Sequence, residues 1–307
     1  MADDTLWGLK KRFGSVQSDA GSTHLALPIA QSVSYIESVV DDYRVYGGID
    51  TFHGAAVDVG AGDSAGVGLL LRAAGCQTVD LVDRFRNRRD IARHQAIYRE
   101  LSRRHGLDWL GQAVDWDDSR FLGITWHLGV PAEEFFAGRA SEMAAPYDLI
   151  VGRGVIQSLF DPIRALRDMA ACLKPGGRMA HKIDLRDLGM FSSGHSELTF
   201  LRFPPSVHRR MGRYSGRPNG VRLNTYRQLA DELRASGFEV TILVTILVGE
   251  DGEIVPHAPY ESLPLDAKQR AVARVEAERH RFASEFRGVD SGDLAVAGIF
   301  ITAVAPA

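Results

Sequence analysis

Hydrophobic and polar positions follow two different periods along this chain. Between residues 28 and 46, apolar side chains recur at the spacing of an amphipathic helix, as at Ile29, Val33 and Ile36. After residue 54, short apolar runs that end in glycine or aspartate alternate with stretches of helical period. This alternation predicts a doubly wound α/β fold, in which a mostly parallel sheet carries helices on both faces and is joined by right-handed crossovers.

The alternation continues to the end of the sequence. Strands are predicted over residues 55–62, 77–83, 124–129, 147–154, 178–185, 238–249 and 294–306. Helices are predicted over residues 64–75, 85–106, 131–143, 161–177 and 224–237, with another near 271–287. We interpret residues 1–50 as a helical lead-in or cap. Residues 51–307 are interpreted as one domain with insertions at about 185–222 and, in helical form, at about 250–292.

Composition narrows the class of protein. The chain has 307 residues, of which 45% are hydrophobic and 24% charged, as in an ordinary globular protein. A net charge of −3 argues against general affinity for nucleic acid, and no apolar run reaches the length of a membrane helix. The N-terminus lacks the apolar stretch of a secretory signal, and Cys76 and Cys172 lie outside metal-binding spacings. We expect a cytoplasmic protein with reduced cysteines and no metal, and a dimer is compatible with the sequence.

The segment VDVGAGDSAG, residues 57–66, is the most informative one. Gly60 and Gly62 let the backbone turn tightly between a strand and a helix and let a ligand approach closely. In an open α/β sheet, this first strand-to-helix crevice is where ligands bind. Asp83 ends the second strand, where a carboxylate can accept hydrogen bonds from both hydroxyls of a ribose. The pattern therefore predicts a nucleotide cofactor.

Two nucleotide cofactors compete for this pattern. A dinucleotide fold prefers Gly-x-Gly-x-x-Gly, whereas the third glycine here is Gly66, and Asp63 at the helix start would repel a pyrophosphate. S-adenosylmethionine carries no phosphate, and carboxylates such as Asp58 and Asp63 favour its sulfonium and ammonium groups. The acidic residues therefore favour S-adenosylmethionine. Two alternatives stay open: Asp58 could cap or orient the turn, and Asp83 could be a helix N-cap.

Four segments resemble the ordered motifs of class I S-adenosylmethionine-dependent methyltransferases. They are VDVGAGDSAG, Asp83, YDLIVGRGVIQSLFDP and ACLKPGGRMAHKIDLRD, in the family's order and spacing over about residues 55–185. The resemblance implies a Rossmann-like sheet of seven strands with an antiparallel last strand. It also implies S-adenosyl-L-methionine as cofactor and S-adenosyl-L-homocysteine as product. Segments after the fifth strand are similar to those of a bacterial small-molecule subgroup, but they identify no acceptor.

Carried over by position, the resemblance implies which residues border the cofactor. They are Asp58, Gly60, Ala61, Gly62, Asp83, Arg84, Ala132, Gly152 and Arg153. The first four would border the methionine part and the sulfonium, Asp83 the ribose, and Arg84 the adenine. The acidic residue common after the third strand is displaced to Glu133, so the adenine contact falls on the backbone amide near Ala132. For Arg84, a place on a solvated arginine-rich helix face is the alternative.

A general base is needed only if the acceptor is a hydroxyl, since its proton must then be removed. We expect the substrate to face the carboxyl ends of the fourth and fifth strands. There Asp184 ends the fifth strand and His195 lies in a Gly-Ser-rich loop, and we predict these two as catalytic residues. The alternatives are an ion pair of Asp184 with Arg186 or Lys182 and a solvent-exposed His195. His181, inside the strand, is interpreted as a packing residue.

Six arginines and no acidic residue stand between Leu198 and Arg222. In a chain of net charge −3, this bias predicts a lid or wall that holds an acidic group of the substrate. Arg213 and Arg217 are the predicted binding residues, because guanidinium forks suit carboxylates and phosphates. The alternative is a solvated basic loop paired with acidic residues elsewhere.

The predicted function is S-adenosylmethionine-dependent methyl transfer to a small molecule, such as O-methylation of a sugar or natural-product intermediate with an acidic group. N- or C-methylation by the same fold stays open, as does an inactive cofactor-binding partner protein. A nicotinamide-dependent oxidoreductase is disfavoured, because the third glycine is out of place and no Tyr-x-x-x-Lys pair is visible. We expect neither nucleic acid nor a membrane as partner, since the arginine cluster is too local to track a duplex.

Overall fold

The structure is a computed structural model that describes residues 17–18, 22–107, 120–121, 123–142, 145–187, 195–212 and 219–307. The described chain forms two compact units. The N-terminal unit contains Gly14–Arg153 and Asp168–Ala180, and the C-terminal unit contains Gly154–Arg167 and His181–Pro306. This division does not fall at residue 50, and the interpretation of residues 51–307 as one domain stays a prediction.

Strands and helices alternate over most of the described chain, and we number both in chain order. The longer strands are β1 Ala55–Val59, β2 Thr78–Asp83, β3 Ile124–Leu128, β4 Tyr147–Arg153, β5 Leu173–Asp184, β6 Glu239–Leu247 and β7 Val296–Val304. The helices are α1 Thr23–Ala26, α2 Ile29–Val45, α3 Gly66–Ala73, α4 Ile91–His105, α5 Ala132–Ser141, α6 Pro162–Ala171, α7 Pro205–Met211, α8 Leu223–Ala235, α9 Leu265–Arg279, α10 Ser284–Arg287 and α11 Ser291–Ala295. None of these described helices is long and apolar enough to cross a lipid bilayer.

The strands form one sheet in the order β3, β2, β1, β4, β5, β7, β6, with the two-residue strand Arg120–Phe121 outside β3. β1 pairs in parallel with β2 and β4, and β2 pairs in parallel with β3. β7 pairs antiparallel to β6, with Val304 opposite Glu239. The predicted fold, a mostly parallel sheet of seven main strands with an antiparallel last strand, is therefore confirmed.

The strand order reverses at β1. From β1 the chain proceeds to β2 on one side and later returns to β4 on the other side. The crevice at the carboxyl end of β1 is thus a topological switch point, which is where open α/β sheets bind their ligands. The glycine loop that begins at Gly60 leaves β1 at this end.

Close packing of helices explains two further glycines of the N-terminal unit. A Cβ on Gly66 would lie 2.4 Å from Ile36 Cδ1 of α2, and a Cβ on Gly68 would lie 2.8 Å from Leu81 Cδ2 of β2. α3 therefore packs tightly against both the lead-in helix and the sheet. Gly66 is needed for helix packing in this fold, whatever the ligand.

Two predicted helix boundaries are wrong. The helix predicted over 85–106 begins only at Ile91, because residues Arg86–Asn87 pair as a short parallel strand with Gln17–Ser18. The helix predicted over 161–177 ends at Ala171, and β5 already begins at Leu173. In both places backbone groups that the helix would have used are bonded in strands instead.

The C-terminal unit contains the antiparallel pair β6–β7 and the helices α9 to α11 between those strands. The predicted insertion over about 185–222 contributes the helix α7 and the 3-10 turn Thr199–Arg202. Residues 188–194 and 213–218 lie outside the described part of the chain. The predicted substrate residues Arg213 and Arg217 are among them, so their role stays a prediction.

Candidate functional site

The loop after β1 is built around two glycines in the left-handed region of backbone conformation. Gly60 has φ 78° and Gly62 has φ 68°, with Ala61 between them. The Gly60 N–H donates to the Val82 carbonyl at 2.7 Å, and the Gly62 N–H donates to Asp83 Oδ2 at 2.9 Å. Both glycines therefore tie the loop to the end of β2.

Asp83 accepts further hydrogen bonds at the end of β2. Its Oδ1 accepts from the Phe85 N–H at 2.8 Å, and its Oδ2 accepts from Asn87 Nδ2 at 3.2 Å. Burial raises the pKa of the Asp83 carboxyl, although these hydrogen bonds favour its charged form. The alternative in which Asp83 caps the following helix is wrong, because Asp90 caps α4 by accepting from the Arg93 N–H at 3.0 Å.

Asp58 is a second buried carboxyl group beside the glycine loop. It is 4% exposed, and no described residue donates a hydrogen bond to it. Burial, and then the charge of Asp83, raise the pKa of Asp58 to about 7. Because both causes act against its charged form, this carboxylate is suited to receive a cationic ligand. No hydrogen bond from the described residues supports the alternative in which Asp58 orients the turn.

Asp63, the acidic residue at the helix start, is buried beside two histidines, His24 and His94. Asp63 and His94 are fully buried, with Asp63 Oδ2 at 3.5 Å from His94 Nε2. His94 Nδ1 lies 2.7 Å from the Asp90 carbonyl, and since a carbonyl only accepts, Nδ1 carries a hydrogen. Asp63 Oδ1 accepts from the His24 N–H at 3.5 Å. The described contacts of Asp63 are thus with residues of the protein interior.

Tyr98 on α4 holds the start of α3. Its hydroxyl lies 2.8 Å from the Ala65 N–H, which donates to it, and 3.4 Å from Ser64 Oγ. Tyr98 and His94 are one helical turn apart and both point to the buried face of α4. The loop is thus supported from α4 as well as from β2.

The lead-in helix α2 covers the same region. Tyr43 is 1% exposed, and its hydroxyl has no hydrogen-bond partner among the described residues. Burial and the charge of Asp58 raise the pKa of Tyr43 well above its usual value. Asp42 Oδ2 pairs with Arg153 Nη1 at 2.8 Å, and the Arg153 guanidinium also lies 5.2 Å from the centre of the Tyr35 ring. α2 is thereby fastened to the carboxyl end of β4.

The segment after β3 lies next to Asp83. The N–H groups of Gly129 and Val130 donate to the Asp83 carbonyl at 2.9 Å and 3.2 Å. Ala132 is buried at the first position of α5, and Pro131 before it makes no side-chain cap. No described residue accepts a hydrogen bond from the Ala132 N–H, which suits the predicted backbone contact to adenine; that contact stays a prediction.

Arginines near β2 stack on aromatic rings. The Arg84 guanidinium lies 4.6 Å from the centre of the Phe85 ring, and that of Arg89 lies 3.7 Å from the centre of the Trp126 ring. Arg84 does not lie on a helix, since α4 begins at Ile91. The alternative that places it on a solvated helix face is therefore wrong, and its adenine contact stays a prediction.

Comparison with known families decides the class of protein. The family described as methyltransferase domain matches residues 48–243, which is more than half of the chain. The chain belongs to this methyltransferase family. Its cofactor is S-adenosylmethionine, as the acidic residues of the loop indicated. The alternative of a nicotinamide-dependent oxidoreductase is thereby removed.

Other comparisons add little to this. No curated protein matches the chain significantly. A Haemonchus contortus phosphoethanolamine N-methyltransferase 2 in complex with S-adenosyl-L-methionine matches at 16% identity and a TM-score of 0.44, over 89% of this chain and 53% of that one. An S-adenosylmethionine-dependent methyltransferase from Mesorhizobium loti matches at 13% identity and a TM-score of 0.42, over 88% and 99%. The methyltransferase chain thus spans about half the length of the Haemonchus enzyme, and neither match bears on the acceptor.

All predicted cofactor residues of the methyltransferase lie in its N-terminal unit. Gly152 is buried in β4 and pairs with Val59 of β1, and Arg153 follows it at the strand end. Arg153 is already bound to Asp42 and Tyr35, so its first role is to hold α2. The residues from Asp58 to Gly62, Asp83, Arg84, Gly152 and Arg153 thus lie in or directly after β1, β2 and β4, whereas Ala132 lies at the start of α5 after β3. Their contacts with the cofactor stay a prediction.

The predicted catalytic residues lie in the C-terminal unit. Asp184 Oδ2 accepts from Arg186 Nη2 at 2.7 Å, and Oδ1 accepts from the Arg186 N–H and Nε at 2.9 Å and 3.0 Å. The ion pair considered for Asp184 thus exists, and it is made with Arg186. Lys182 pairs with Glu253 at 2.6 Å instead. His195 is exposed, and the catalytic role of both residues stays a prediction.

His181 has the environment of a packing residue. It is fully buried in β5, and burial alone lowers its pKa to about 3. Neither ring nitrogen has a hydrogen-bond partner among the described residues. A neutral histidine therefore stands in this strand at physiological pH, as the sequence interpretation held.

Sequence reasoning missed three residues of the site: Asn87, His94 and Tyr98. Asn87 follows Asp83 by four residues, at a place predicted to be helical. His94 and Tyr98 lie on a helix whose many charges indicated an exposed element. Their signal was the spacing His94, Ile97, Tyr98 and Leu101, which is the buried stripe of an amphipathic helix.

Proposed function

We propose that this protein transfers a methyl group from S-adenosylmethionine to a small organic molecule with an acidic group, with O-methylation of a sugar or natural-product intermediate as the specific case. The observation that supports this best is the pair of buried carboxyls Asp58 and Asp83 beside a loop opened by two left-handed glycines. A cationic nucleoside without phosphate is complementary to this site, whereas a pyrophosphate would be repelled.

The residues present fit the cofactor. Asp58 would face the sulfonium and ammonium groups. The bound cofactor would then supply the positive counter-charge that is missing beside this buried carboxylate. Asp83 would accept hydrogen bonds from the ribose, since each carboxylate oxygen has two lone pairs and Oδ1 accepts only one hydrogen bond from the described residues, that of the Phe85 N–H. Tyr43 would offer its unpartnered hydroxyl to a polar group of the cofactor.

The cofactor supplies a methyl group that its sulfonium activates. The protein then has to align the acceptor with this methyl group and exclude water, because transfer is an in-line displacement. A hydroxyl acceptor must also lose its proton, which Asp184 or His195 would take. Asp184 could do so only by exchanging one of its contacts with Arg186.

The contacts of Asp184 also favour a second candidate, N- or C-methylation. Arg186 engages both carboxylate oxygens, so an acceptor that needs no strong base fits this arrangement equally well. An inactive cofactor-binding protein would bind S-adenosylmethionine but would form no S-adenosylhomocysteine with any acceptor. Methyl transfer from labelled cofactor to panels of hydroxy acids and amino acids separates these three cases.

Calorimetric titration tests the cofactor site directly. We expect S-adenosylmethionine to bind at micromolar Kd and NADH not to bind. Asp58→Asn and Asp83→Asn should each weaken cofactor binding by about 10-fold or more, since each removes a charge-assisted contact. Asp231→Asn is the matched control, because Asp231 is an exposed acid on α8 in the C-terminal unit. Equal affinity in all four proteins would contradict the proposed site.

A further inference from the structure

A cavity of about 590 Å³ lies within the C-terminal unit, and the cofactor site does not use it. Its walls come from the starts of α6 and α8, from α7, from the 3-10 turn Thr199–Arg202 and from α10. This volume is in the range of pockets for small molecules.

Arg222 is a buried cation in the wall of this cavity. It is 3% exposed, and its Nη atoms donate to three carbonyls, those of Leu185, Leu294 and Val296. Its Nε–H has no hydrogen-bond partner, and no described carboxylate lies within ion-pair distance of it. Burial lowers the pKa of Arg222 to about 10, so it remains charged at neutral pH.

The acidic residues that act on Arg222 from a distance are already paired with other cations. They are Asp184 and Glu197, which pair with Arg186, and Asp293, which pairs with Arg227. A buried charge without a close counter-ion is costly. An anion in the cavity would therefore stabilise Arg222.

The N-terminus of α8 opens to the same cavity. α8 has 13 residues, and Arg222 at its N-cap makes no side-chain cap. Asn224 and Thr225 of its first turn line the cavity. The uncapped N–H groups and the helix dipole favour a negative charge at this place.

The other residues that line the cavity indicate the chemistry of the rest of the ligand. Arg209 is exposed, and it has no ion pair with any described residue. Phe160, Phe200 and Phe286 supply ring surfaces. The acidic lining residues, Asp161 and Glu285, are exposed, and Asp161 Oδ1 is used by the Arg164 N–H at 3.1 Å.

We propose that this cavity binds a small organic anion whose carboxylate or phosphate faces Arg209, Arg222 and the start of α8 and whose ring packs against the phenylalanines. The proposal does not rest on Arg213 and Arg217.

Two neighbouring arginines of α7 provide a matched test. Arg209 lines the cavity, whereas Arg210 is also exposed but does not line it. Arg209→Glu and Arg210→Glu change the net charge of the protein equally. The probes are benzoate and phenyl phosphate, with benzamide as the uncharged analogue of benzoate, measured by ligand-observed NMR and calorimetry.

We expect at least one of the two anions to bind the unaltered protein at about 10 mM or tighter, and benzamide to bind at least about 5-fold more weakly. Arg209→Glu should weaken binding of the anion by about 5-fold or more, and Arg210→Glu should weaken it by less than about 2-fold. If phenyl phosphate binds more tightly than benzoate, the acidic group is assigned as a phosphate. If benzoate binds more tightly, it is assigned as a carboxylate.

The proposal is overturned if neither anion binds, if benzamide binds as well as benzoate, or if both charge reversals weaken binding equally. S-adenosylmethionine titration of the same variants separates this failure from that of the proposed function. Intact cofactor binding with no anion binding rejects only the cavity assignment. Loss of cofactor binding by the unaltered protein rejects the proposed function itself.

Discussion

At the scale of single residues, the chemistry of the site depends most on Asp58. A carboxyl group whose pKa rises from 3.8 to about 7 destabilises the folded protein when it ionises. Between these two values the folded state holds a proton that the unfolded state has lost, so stability falls as the pH rises through this window. The residue that best suits a cationic cofactor therefore weakens the protein without cofactor, as is common at functional sites.

Removing this carboxyl should stabilise the cofactor-free protein. We expect Asp58→Asn to raise the free energy of unfolding by about 1 to 4 kcal/mol at pH 8, and by clearly less at pH 5. Thermal melts of both proteins at the two pH values measure the difference. The exposed control Asp231→Asn should change stability by less than about 0.5 kcal/mol. A gap that does not grow with pH would contradict the buried, protonated Asp58.

Cofactor binding should release a proton from the same residue. Asp58 must ionise to face the cation, so S-adenosylmethionine should bind about 10-fold more tightly at pH 7.5 than at pH 6. Calorimetry in two buffers of different ionisation enthalpy counts the proton released. Asp58→Asn should remove most of this pH dependence; if it persists unchanged, another group is responsible.

At the scale of secondary-structure elements, ion pairs join α2 to two other elements. Glu37 pairs with Arg104 of α4 at 2.8 Å, and Asp42 pairs with Arg153. The ion pair of Asp42 with Arg153 joins α2 to the end of β4, and both side chains are about one-fifth exposed. Pairs of this exposure contribute little to global stability. Tyr43, the next residue of α2, is buried within reach of the charge of Asp58.

Breaking this pair should therefore affect the cofactor more than the fold. We expect Asp42→Asn to weaken S-adenosylmethionine binding by about 3- to 10-fold while changing stability by less than about 1 kcal/mol. Asp41→Asn is the control, because Asp41 is the exposed neighbour on the same helix. Calorimetric titration and thermal melts of both variants decide, and equal effects of the two would show that the pair does not position α2.

The contact between α2 and α3 gives a prediction on packing. Ile36 is fully buried, and its Cδ1 would lie 2.4 Å from a Cβ on Gly66. Gly66→Ala should therefore destabilise the protein by about 1 to 3 kcal/mol in denaturant unfolding. Gly138→Ala should be neutral or stabilising by up to about 1 kcal/mol, because Gly138 lies on α5 with nothing within 4 Å of its added Cβ. Equal destabilisation of both variants would contradict the close contact.

At the scale of the whole molecule, ligand binding should be visible in stability. S-adenosylmethionine at about 100 times its Kd should stabilise the folded protein by about 2.7 kcal/mol, or a few degrees in Tm. NADH at the same concentration should leave Tm unchanged. Differential scanning calorimetry measures both, and an equal shift with NADH would contradict the preference for a ligand without phosphate.

Much of this molecule follows from local sequence patterns. Period-two and period-3.6 runs predicted the seven main strands and most helices, because each element must bury one face. Glycines with positive φ and the LKPGG run mark turns, because their backbone preferences are local and do not depend on distant residues. Even so, the helix predicted from residue 85 begins at Ile91, and the strand predicted from residue 178 begins at Leu173. Both predictions were wrong because pairing with a distant strand can use backbone groups that a helix end would otherwise bond.

The role of each acidic residue could not be decided locally. Asp58 and Asp63 look alike in sequence, yet Asp58 has no hydrogen-bonding partner in the described part of the chain, whereas Asp63 lies beside His94, more than thirty residues further along. Likewise, Arg222 is one of six arginines between residues 198 and 222, and only the structure shows it buried in a cavity wall.

The sequence by itself determined the order of elements, the crevice at the end of β1 and the preference for a cationic cofactor, because these depend on residues close together in the chain. Only the tertiary structure decided which charges are compensated and which remain available to a ligand. Charge compensation depends on distance and burial, and these bring together residues that no sequence spacing relates.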